Sequence, residues 1–527
     1  MNTKKEKWQE AANLEDLHEE VPSVVSVGKR KVLLLLSEGR VTAVAARCPH
    51  YGAMLDKGVL IDHVLTCPKH AARFDVESGG LLFPPAFEDL KRYSVKVEKG
   101  MVYVRQDEKP RPRITIRPES GTFIIVGGGG AGCAAALTLR REGFDGRVII
   151  ATAEQVLPYD RPNLTKDYLA GELERKWMDL KPEEFYEDSG IEIRTGSRLI
   201  YIKPEEKSLH FAGGEYMEYD RLLLATGGIP RTPDIPGVWL ENFFLLRSMA
   251  DVDGIIASLE GAGRVLVIGA SFIGLETASA LRKRGIEVHV AAPEKIPMTR
   301  IFGEKTGLRI MKLHEEQGVV FHLGAAPEEI TGHEKVNGAV LSDGSRIDAD
   351  VVIAGIGIVP AVNYIEDGDV AGGGGIAVDG NLRTVLKDVY AAGDIAALPD
   401  PVTGTVRRVE HWAEALGQGM HAARAMLGAK EEYSEVPFFW TKQYDTVIKY
   451  VGYAPSYDSI VYRGNPDDGD FIAGFYDHGK LLAAAAIGRM DDLVITAGII
   501  KSGIQPSMDL FGDESADLRS VLESGKK

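Results

Sequence analysis

Cysteine is scarce in this chain: 527 residues carry three, Cys48, Cys67 and Cys133. So few thiols exclude a disulfide-stapled scaffold and point to a reducing compartment. Positive charge is also in deficit, with 61 Lys and Arg against 77 Asp and Glu, a formal net charge of −16. That balance argues against nucleic acid or an anionic membrane as partner and leaves weak steering toward basic ones. Long apolar runs are missing. None approaches the roughly 18 residues of a membrane span, and the strand-like ones, such as 32–36, are short. The opening residues MNTKKEKW hold no apolar core of a secretory signal. Together these absences predict a cytoplasmic protein. Glycine is abundant, at 59 residues, and the length predicts about three or four domains.

Two of the three cysteines fall in a pattern. Cys48-Pro49-His50 is followed, after sixteen intervening residues, by Cys67-Pro68-Lys69-His70. One Cys and one His from each loop can ligate a Rieske [2Fe–2S] cluster, with two thiolates on one iron and two imidazoles on the other. The same donor set also suits zinc, although zinc fingers normally run Cys-Cys and then His-His. Both loops begin with Cys-Pro, Gly52 follows the first, and strand-like segments at 31–36, 41–46 and 95–104 surround them. On these features residues 1–107 resemble the ferredoxin-type Rieske domain. High-potential respiratory Rieske proteins carry a further cysteine in each loop, joined as a disulfide, where this chain has Ala53 and Lys69. They also place a Ser and a Tyr that donate to sulfur where this chain has Ala72 and Phe74. Fewer donors leave the reduced, more negative cluster less stabilised. The resemblance therefore implies a potential toward the low end, about −150 mV.

The segment 108–120 (EKPRPRITIRPES) mixes proline and charge and reads as a linker. Beyond it, the strand-like run 122–126 leads into a Gly-rich turn with Gly127, Gly129 and Gly132, then a helix over 133–141. Strand, G-x-G-x-x-G and helix form a dinucleotide-binding pattern. Gly127 serves the tight turn, Gly129 the close approach of a pyrophosphate, and Gly132 the packing of helix on strand. The acidic ribose contact, expected near the end of a second strand at 148–151, falls on Glu154, with Thr152 at the nearest position. A second opening runs from 264–268 through Gly269, Ser271 and Gly274 into a helix over 275–284, with Ser271 in place of the middle glycine. After its second strand, 287–290, Ala292 stands where an acid is expected and Glu294 follows two residues later. No Arg immediately follows that strand to receive a 2′-phosphate, so NADH is preferred over NADPH.

Two such motifs, the second nested inside the first, resemble the two-dinucleotide flavoprotein reductases. Segments 222–228 (LLLATGG) and 351–360 (VVIAGIGIVP, containing Gly357) look like the strand ends that return the chain between FAD and NAD domains. Segment 389–394, ending in Asp394, resembles the second FAD fingerprint, and 157–166 (LPYDRPNLTK) the flavin-side segment of ferredoxin reductases. Segments 407–419 and 438–445 complete the set. The whole chain resembles the Rieske-bearing branch of the apoptosis-inducing-factor-like NADH:ferredoxin reductases, with plant monodehydroascorbate reductases as near relatives.

That resemblance implies a multidomain fold. An all-β Rieske domain (1–107) and the linker (108–120) precede an FAD-binding domain (121–242 and 363–433). An NAD(P)H-binding domain (243–362), Rossmann-like as the FAD domain is, lies within it, and an α+β C-terminal domain (434–527) follows. It implies FAD, a Rieske cluster and NADH as cofactors. Cys48, His50, Cys67 and His70 would hold the metal. Lys166 and Glu276 would form the catalytic pair beside the flavin, Lys166 stabilising negative charge on the reduced ring. Arg161 would border the FAD pyrophosphate or flavin, Asp394 the ribityl–pyrophosphate region, and His411 and Trp412 the flavin itself. Trp440 would stand near the isoalloxazine as an electron exit or partner contact, while Lys442 departs from the acidic residue usual at its position. Disulfide-reductase chemistry is excluded, since 158–166 has no cysteine, and Cys133 reads as a packing residue. The implied activity is hydride transfer from NADH to FAD, then single electrons to the tethered cluster. They would leave by an exposed edge near His50 or His70 to a redox protein or small acceptor. Two alternatives stand beside it. One is reduction of a monodehydroascorbate- or quinone-like radical; the other is a redox-sensing interaction protein.

Overall fold

The structure, a computed structural model, describes residues 7–109, 120–365 and 374–524. Most of the expected linker therefore lies outside the described residues. Apart from a 3-10 turn at Leu14–Asp16, the regular structure described in the N-terminal domain is β. A six-stranded antiparallel sheet runs in the order Gln9–Asn13, Met101–Lys109, Arg92–Glu98, Arg40–Ala45, Arg30–Ser37, Ser23–Val27. A four-stranded sheet of short strands (Val59–Ile61, Val64–Thr66, Arg73–Asp75, Leu81–Phe83) carries the second Cys/His loop as a hairpin connection. The segment 95–104, expected as one strand, is instead a hairpin. Lys99 and Gly100 take φ of 51° and 78° and reverse the chain between Arg92–Glu98 and Met101–Lys109.

Runs of Val, Ile and Leu buried on both faces build two parallel sheets. The first orders its strands Ile191–Arg194, Arg147–Ala151, Thr122–Val126, Arg221–Leu224, Val389–Ala391. In chain order that is 3-2-1-4-5, a doubly wound half. Between its last two strands the chain leaves to make the second sheet, Val319–Leu323, Glu287–Ala292, Arg264–Ile268, Val351–Ala354, Phe243–Leu245. The expected return segments pair as a two-stranded ribbon, Gly228–Pro230 with Ile358–Pro360. The C-terminal region is a five-stranded antiparallel sheet (Phe438–Gln443, Thr446–Gly452, Lys480–Ile487, Asp470–Asp477, Ser459–Asn465) followed by three helices. Among the described residues no helix is long and apolar enough to cross a membrane.

Helix Gly130–Arg141, from the first Gly-rich turn, packs against helix Trp412–Met426. A Cβ on Gly419 would come within 2.1 Å of the Ala131 carbonyl oxygen. Ala134, Leu416 and Met420 of this pair share one core with Leu33, Leu55, Phe74 and Leu90 of the N-terminal β domain. Phe83 lies over Gly417, 2.7 Å from where a Cβ would stand. The β domain is thus seated on the helix pair through apolar surface, with ion pairs Arg73–Glu435, Lys181–Glu88 and Arg519–Glu20 at its margins. Gly419→Ala is expected to cost about 1–3 kcal/mol, because the methyl meets backbone that cannot turn aside. Gly417→Ala should cost less, since the Phe83 ring can shift. Chemical denaturation of the cofactor-loaded protein checks both, and a wild-type midpoint for Gly419→Ala would overturn this account of the seam.

Candidate active site

The two Cys/His loops are built alike. Cys48 N–H donates to Ala53 O (2.8 Å) and Gly52 N–H to Cys48 O (2.9 Å). In the second loop Cys67 N–H donates to Ala72 O (2.8 Å) and Ala71 N–H to Cys67 O (3.1 Å). Gly52 and Ala71, each four residues after its cysteine, both take positive φ, 68° and 57°. These matched turns aim four donors at one place. His50 Nδ1 and His70 Nδ1 lie 3.1 Å apart, and the Cys48 and Cys67 thiols hydrogen-bond each other. The bond from Cys48 makes Cys67 the more acidic of the pair, and the N–H groups of Lys69 and His70 act in the same direction. Burial lowers His50 to about 4 and His70 to about 2, so both rings are neutral, as metal ligands must be.

Geometry addresses the zinc alternative. A tetrahedral ion with bonds of about 2.0–2.3 Å draws all its donors within about 4.6 Å of one another. Among the described residues, no three of these four donor atoms lie within 4.8 Å of one another. A thiol pair and a separate imidazole pair fit a two-iron cluster better than a single ion.

Beside these loops a cavity of about 1180 Å³ extends past both Gly-rich turns, larger than the usual single-ligand pocket of about 300–1,000 Å³. Gly127 turns the chain at φ 121°, and Gly132 presses on it so closely that a Cβ would stand 1.9 Å from Gly127 O. Gly129 lines the cavity, and nothing lies within 4 Å of where its Cβ would be. That open cradle at a helix N-terminus admits a pyrophosphate. In the second turn Gly269 and Gly274 repeat the tight pair, with a Gly274 Cβ 1.9 Å from Gly269 O. Ser271 and Gly357 line the cavity, and Ser271 Oγ donates to Gly355 O (3.0 Å), bracing the turn. Glu294 is exposed and lies outside the cavity lining.

The structure joins Lys166 and Glu276 at 2.6 Å, both side chains nearly buried on the cavity wall. Lys166 also donates to Pro162 O (3.0 Å), and Glu276 accepts from Thr165 (2.6 Å) and Thr441 (2.7 Å). Glu154 lines the cavity, its carboxylate bound by Arg161 (2.7 Å) and Tyr159 (2.7 Å). Arg161 also donates to Arg247 O (2.6 Å), and Arg247 pairs with Asp394 (2.7 Å). His411 stacks on Phe439 at 3.9 Å, and burial lowers it to about 4. Trp412 packs against Gly130. Cys133 is fully buried, its Sγ 3.5 Å from Tyr186 Oη, and burial pushes its thiol up to about 12. Lys442 pairs with Asp167 (3.3 Å).

Trp440 lines the cavity and packs on His70 with ring centroids 4.7 Å apart. Next to it, Tyr51 Oη donates to buried Asp160 and meets Asn163 Nδ2 (3.2 Å). Lys449 Nζ donates to Pro68 O (2.7 Å). Both imidazoles are half-buried, His70 against Trp440 on the cavity wall and His50 against the exposed Tyr51. Tyr51, Arg247 and Lys449 belong to no sequence pattern, while Asp160 and Thr441 lie in segments 157–166 and 438–445, where nothing singles them out. Only Ser248-x-x-Asp251, a capping box present in the structure, marked the segment that delivers Arg247.

Comparison with known proteins gives three matched family models. Residues 121–419 match the pyridine nucleotide-disulphide oxidoreductase model, 438–522 the reductase C-terminal model and 7–94 the Rieske [2Fe-2S] domain model. Apoptosis-inducing factor 3 of Homo sapiens is 34% identical over 509 residues, 93% of this chain and 83% of its own length. The ferredoxin–NAD(+) reductase component of the anthranilate 1,2-dioxygenase system of Burkholderia cepacia is 33% identical over 76% of this chain and 99% of its own. Among solved structures, the ferredoxin reductase for the CYP199A2 system of Rhodopseudomonas palustris aligns with a TM-score of 0.73 at 32% identity, covering 76% of this chain and 99% of that one. The covalent putidaredoxin reductase–putidaredoxin complex aligns with the same TM-score at 28% identity, covering 77% and 99%.

The buried pair yields a stability prediction. Glu276→Ala is expected to cost about 3–5 kcal/mol by leaving Lys166 charged and unpaired. Adding Lys166→Met should return much of that loss. Denaturation midpoints of the two single variants and the double variant check this, and additive losses would refute the coupling.

Proposed function

The chain belongs to the pyridine nucleotide-disulphide oxidoreductase family as an FAD- and Rieske-containing NAD(P)H oxidoreductase, and from that premise we propose an internal electron route from NADH through flavin to cluster, ending on an external redox protein. When bound, FAD takes two electrons from a nicotinamide and releases them singly, and the cluster carries them one at a time. The contact of His70 with Trp440 carries this reading, because it links a ligand candidate directly to the wall of the flavin cavity.

In this reading Cys48 and Cys67 hold one iron and His50 and His70 the other. Gly127, Gly129 and Gly132 admit the FAD pyrophosphate, and Asp394 and Arg161 border it. Glu154 takes a ribose contact through the oxygens it already shares with Arg161 and Tyr159. Lys166, fixed by Glu276, offers positive charge to the flavin, with His411 and Trp412 against it. Gly269, Ser271, Gly274 and Gly357 would receive NADH, and Glu294, just beyond strand Glu287–Ala292 and outside the cavity lining, would serve its adenosine end only from the cavity's exterior. The absence of an Arg directly after Glu287–Ala292 supports NADH over NADPH, as does the relative named for NAD(+). The complex with putidaredoxin among the structural neighbours supports a redox protein as acceptor. Tyr51, 51% exposed and 4.0 Å from the His50 ring, offers the way out. Scarce cysteine and acidic charge support a cytoplasmic location. No observation favours the small-acceptor or sensor alternative over this one.

Anaerobic stopped-flow mixing with NADH, combined with low-temperature EPR, tests the route. Flavin bleaching should precede the rhombic signal of a reduced Rieske centre. Trp440→Leu should leave flavin reduction intact and slow cluster reduction about ten- to a hundredfold. A flavin that reduces while the intact cluster stays oxidised would end the proposal.

A further inference from the structure

Lys449 lies in strand Thr446–Gly452, directly opposite Trp440 in the antiparallel register. Residues paired across such a ladder project to the same face. As Trp440 reaches His70, Lys449 reaches the same loop, donating from Nζ to Pro68 O at 2.7 Å across 381 residues of sequence. Its other partner is the Met490 sulfur (3.4 Å). Among the described residues no carboxylate pairs with it, and its charge acts on the neighbouring Cys67 sulfur. Within the loop, Cys67 receives the N–H groups of Lys69 and His70, while the side chains of buried Ala72 and Phe74 have no polar hydrogen to donate. The nearby Lys166 charge is already matched by Glu276.

We propose that Lys449 is a positioning residue for electron flow that sets the reduction potential of the cluster, its ammonium compensating the electron that enters. The inference rests on the Rieske reading above. It revises the low potential expected from the donor-poor loops, because the missing stabilisation of the reduced state is supplied by another domain. It also makes that stabilisation conditional on docking. By linkage, whatever factor Lys449 adds to reduction of the docked cluster, reduction adds to docking.

The test is an EPR-monitored redox titration of the cofactor-loaded protein with mediators and dithionite, so that NADH and flavin are not needed to reduce the cluster. Lys449→Gln keeps a polar N–H donor on a slightly shorter side chain but carries no charge, and Lys449→Arg keeps the charge. The Gln variant should shift the oxidised-to-reduced ratio about tenfold, a midpoint lower by about 59 mV for a one-electron couple. The Arg variant should stay near wild type. Lys449→Met repeats the neutral substitution if the Gln variant loads the cluster poorly. Neutral variants at the wild-type midpoint, or an Arg variant that falls with them, would overturn this inference alone. A wild-type protein with no Rieske signal under dithionite would overturn the proposed function and this inference together.

Discussion

The close approach of helices Gly130–Arg141 and Trp412–Met426 is the contact on which the rest of the molecule depends. Glycine at 419 lets the second helix lie against the Ala131 carbonyl, and any side chain there would push the two apart. One face of the pair forms the floor of the nucleotide cavity, where Gly129, Gly130 and Trp412 meet. The other face completes the core of the Rieske domain through Ala134, Leu416 and Met420. One helix contact therefore fixes the spacing between two redox sites that lie in separate domains. The covalent tether adds local concentration, but shared apolar burial sets the orientation.

Charge buried around this seam keeps the orientation single-valued. Arg407, with a side chain 1% exposed, binds Asp400 at 2.7 Å and the Glu435 carbonyl at 2.9 Å. The Glu435 carboxylate in turn pairs with Arg73 of the Rieske domain and with Lys501. Such pairs add little net stability against apolar replacements, but each is costly to break once its partner is buried. They act here as locating pins between the domains. Desolvation also keeps His50, His70 and His411 uncharged. Fixed positive charge near the redox centres then includes two lysines held in place, Lys166 by Glu276 and Lys449 by Pro68.

Much of the fold was legible because its constraints are local. The glycine spacing at 127–132 and 269–274 follows from backbone sterics that any reader of the turn can apply, and Cys-x-His with Cys-x-x-His follows from what two hairpin loops can present. Ser271 stands where the middle glycine is expected, and its hydroxyl braces Gly355. The segment 95–104 was misread because Lys99-Gly100 breaks it with a turn whose apolar flanks look continuous. The zinc alternative could not be closed from ligand identity. It needed the separation between the thiol pair and the imidazole pair.

The sequence by itself determined which chemistry the chain can carry, because ligand type, turn-forming glycines and buried strand runs are properties of neighbouring residues. Lys166 and Glu276 stand 110 residues apart, and only resemblance to a family joined them before the fold did. Tertiary structure alone decided that His70 packs on Trp440, that Tyr51 reaches Asp160, and that Lys449 donates to Pro68 in the Cys67 loop. No spacing rule encodes these contacts. They arise where surfaces from distant parts of the chain are pressed together by apolar burial, and their geometry exists only once that burial is complete.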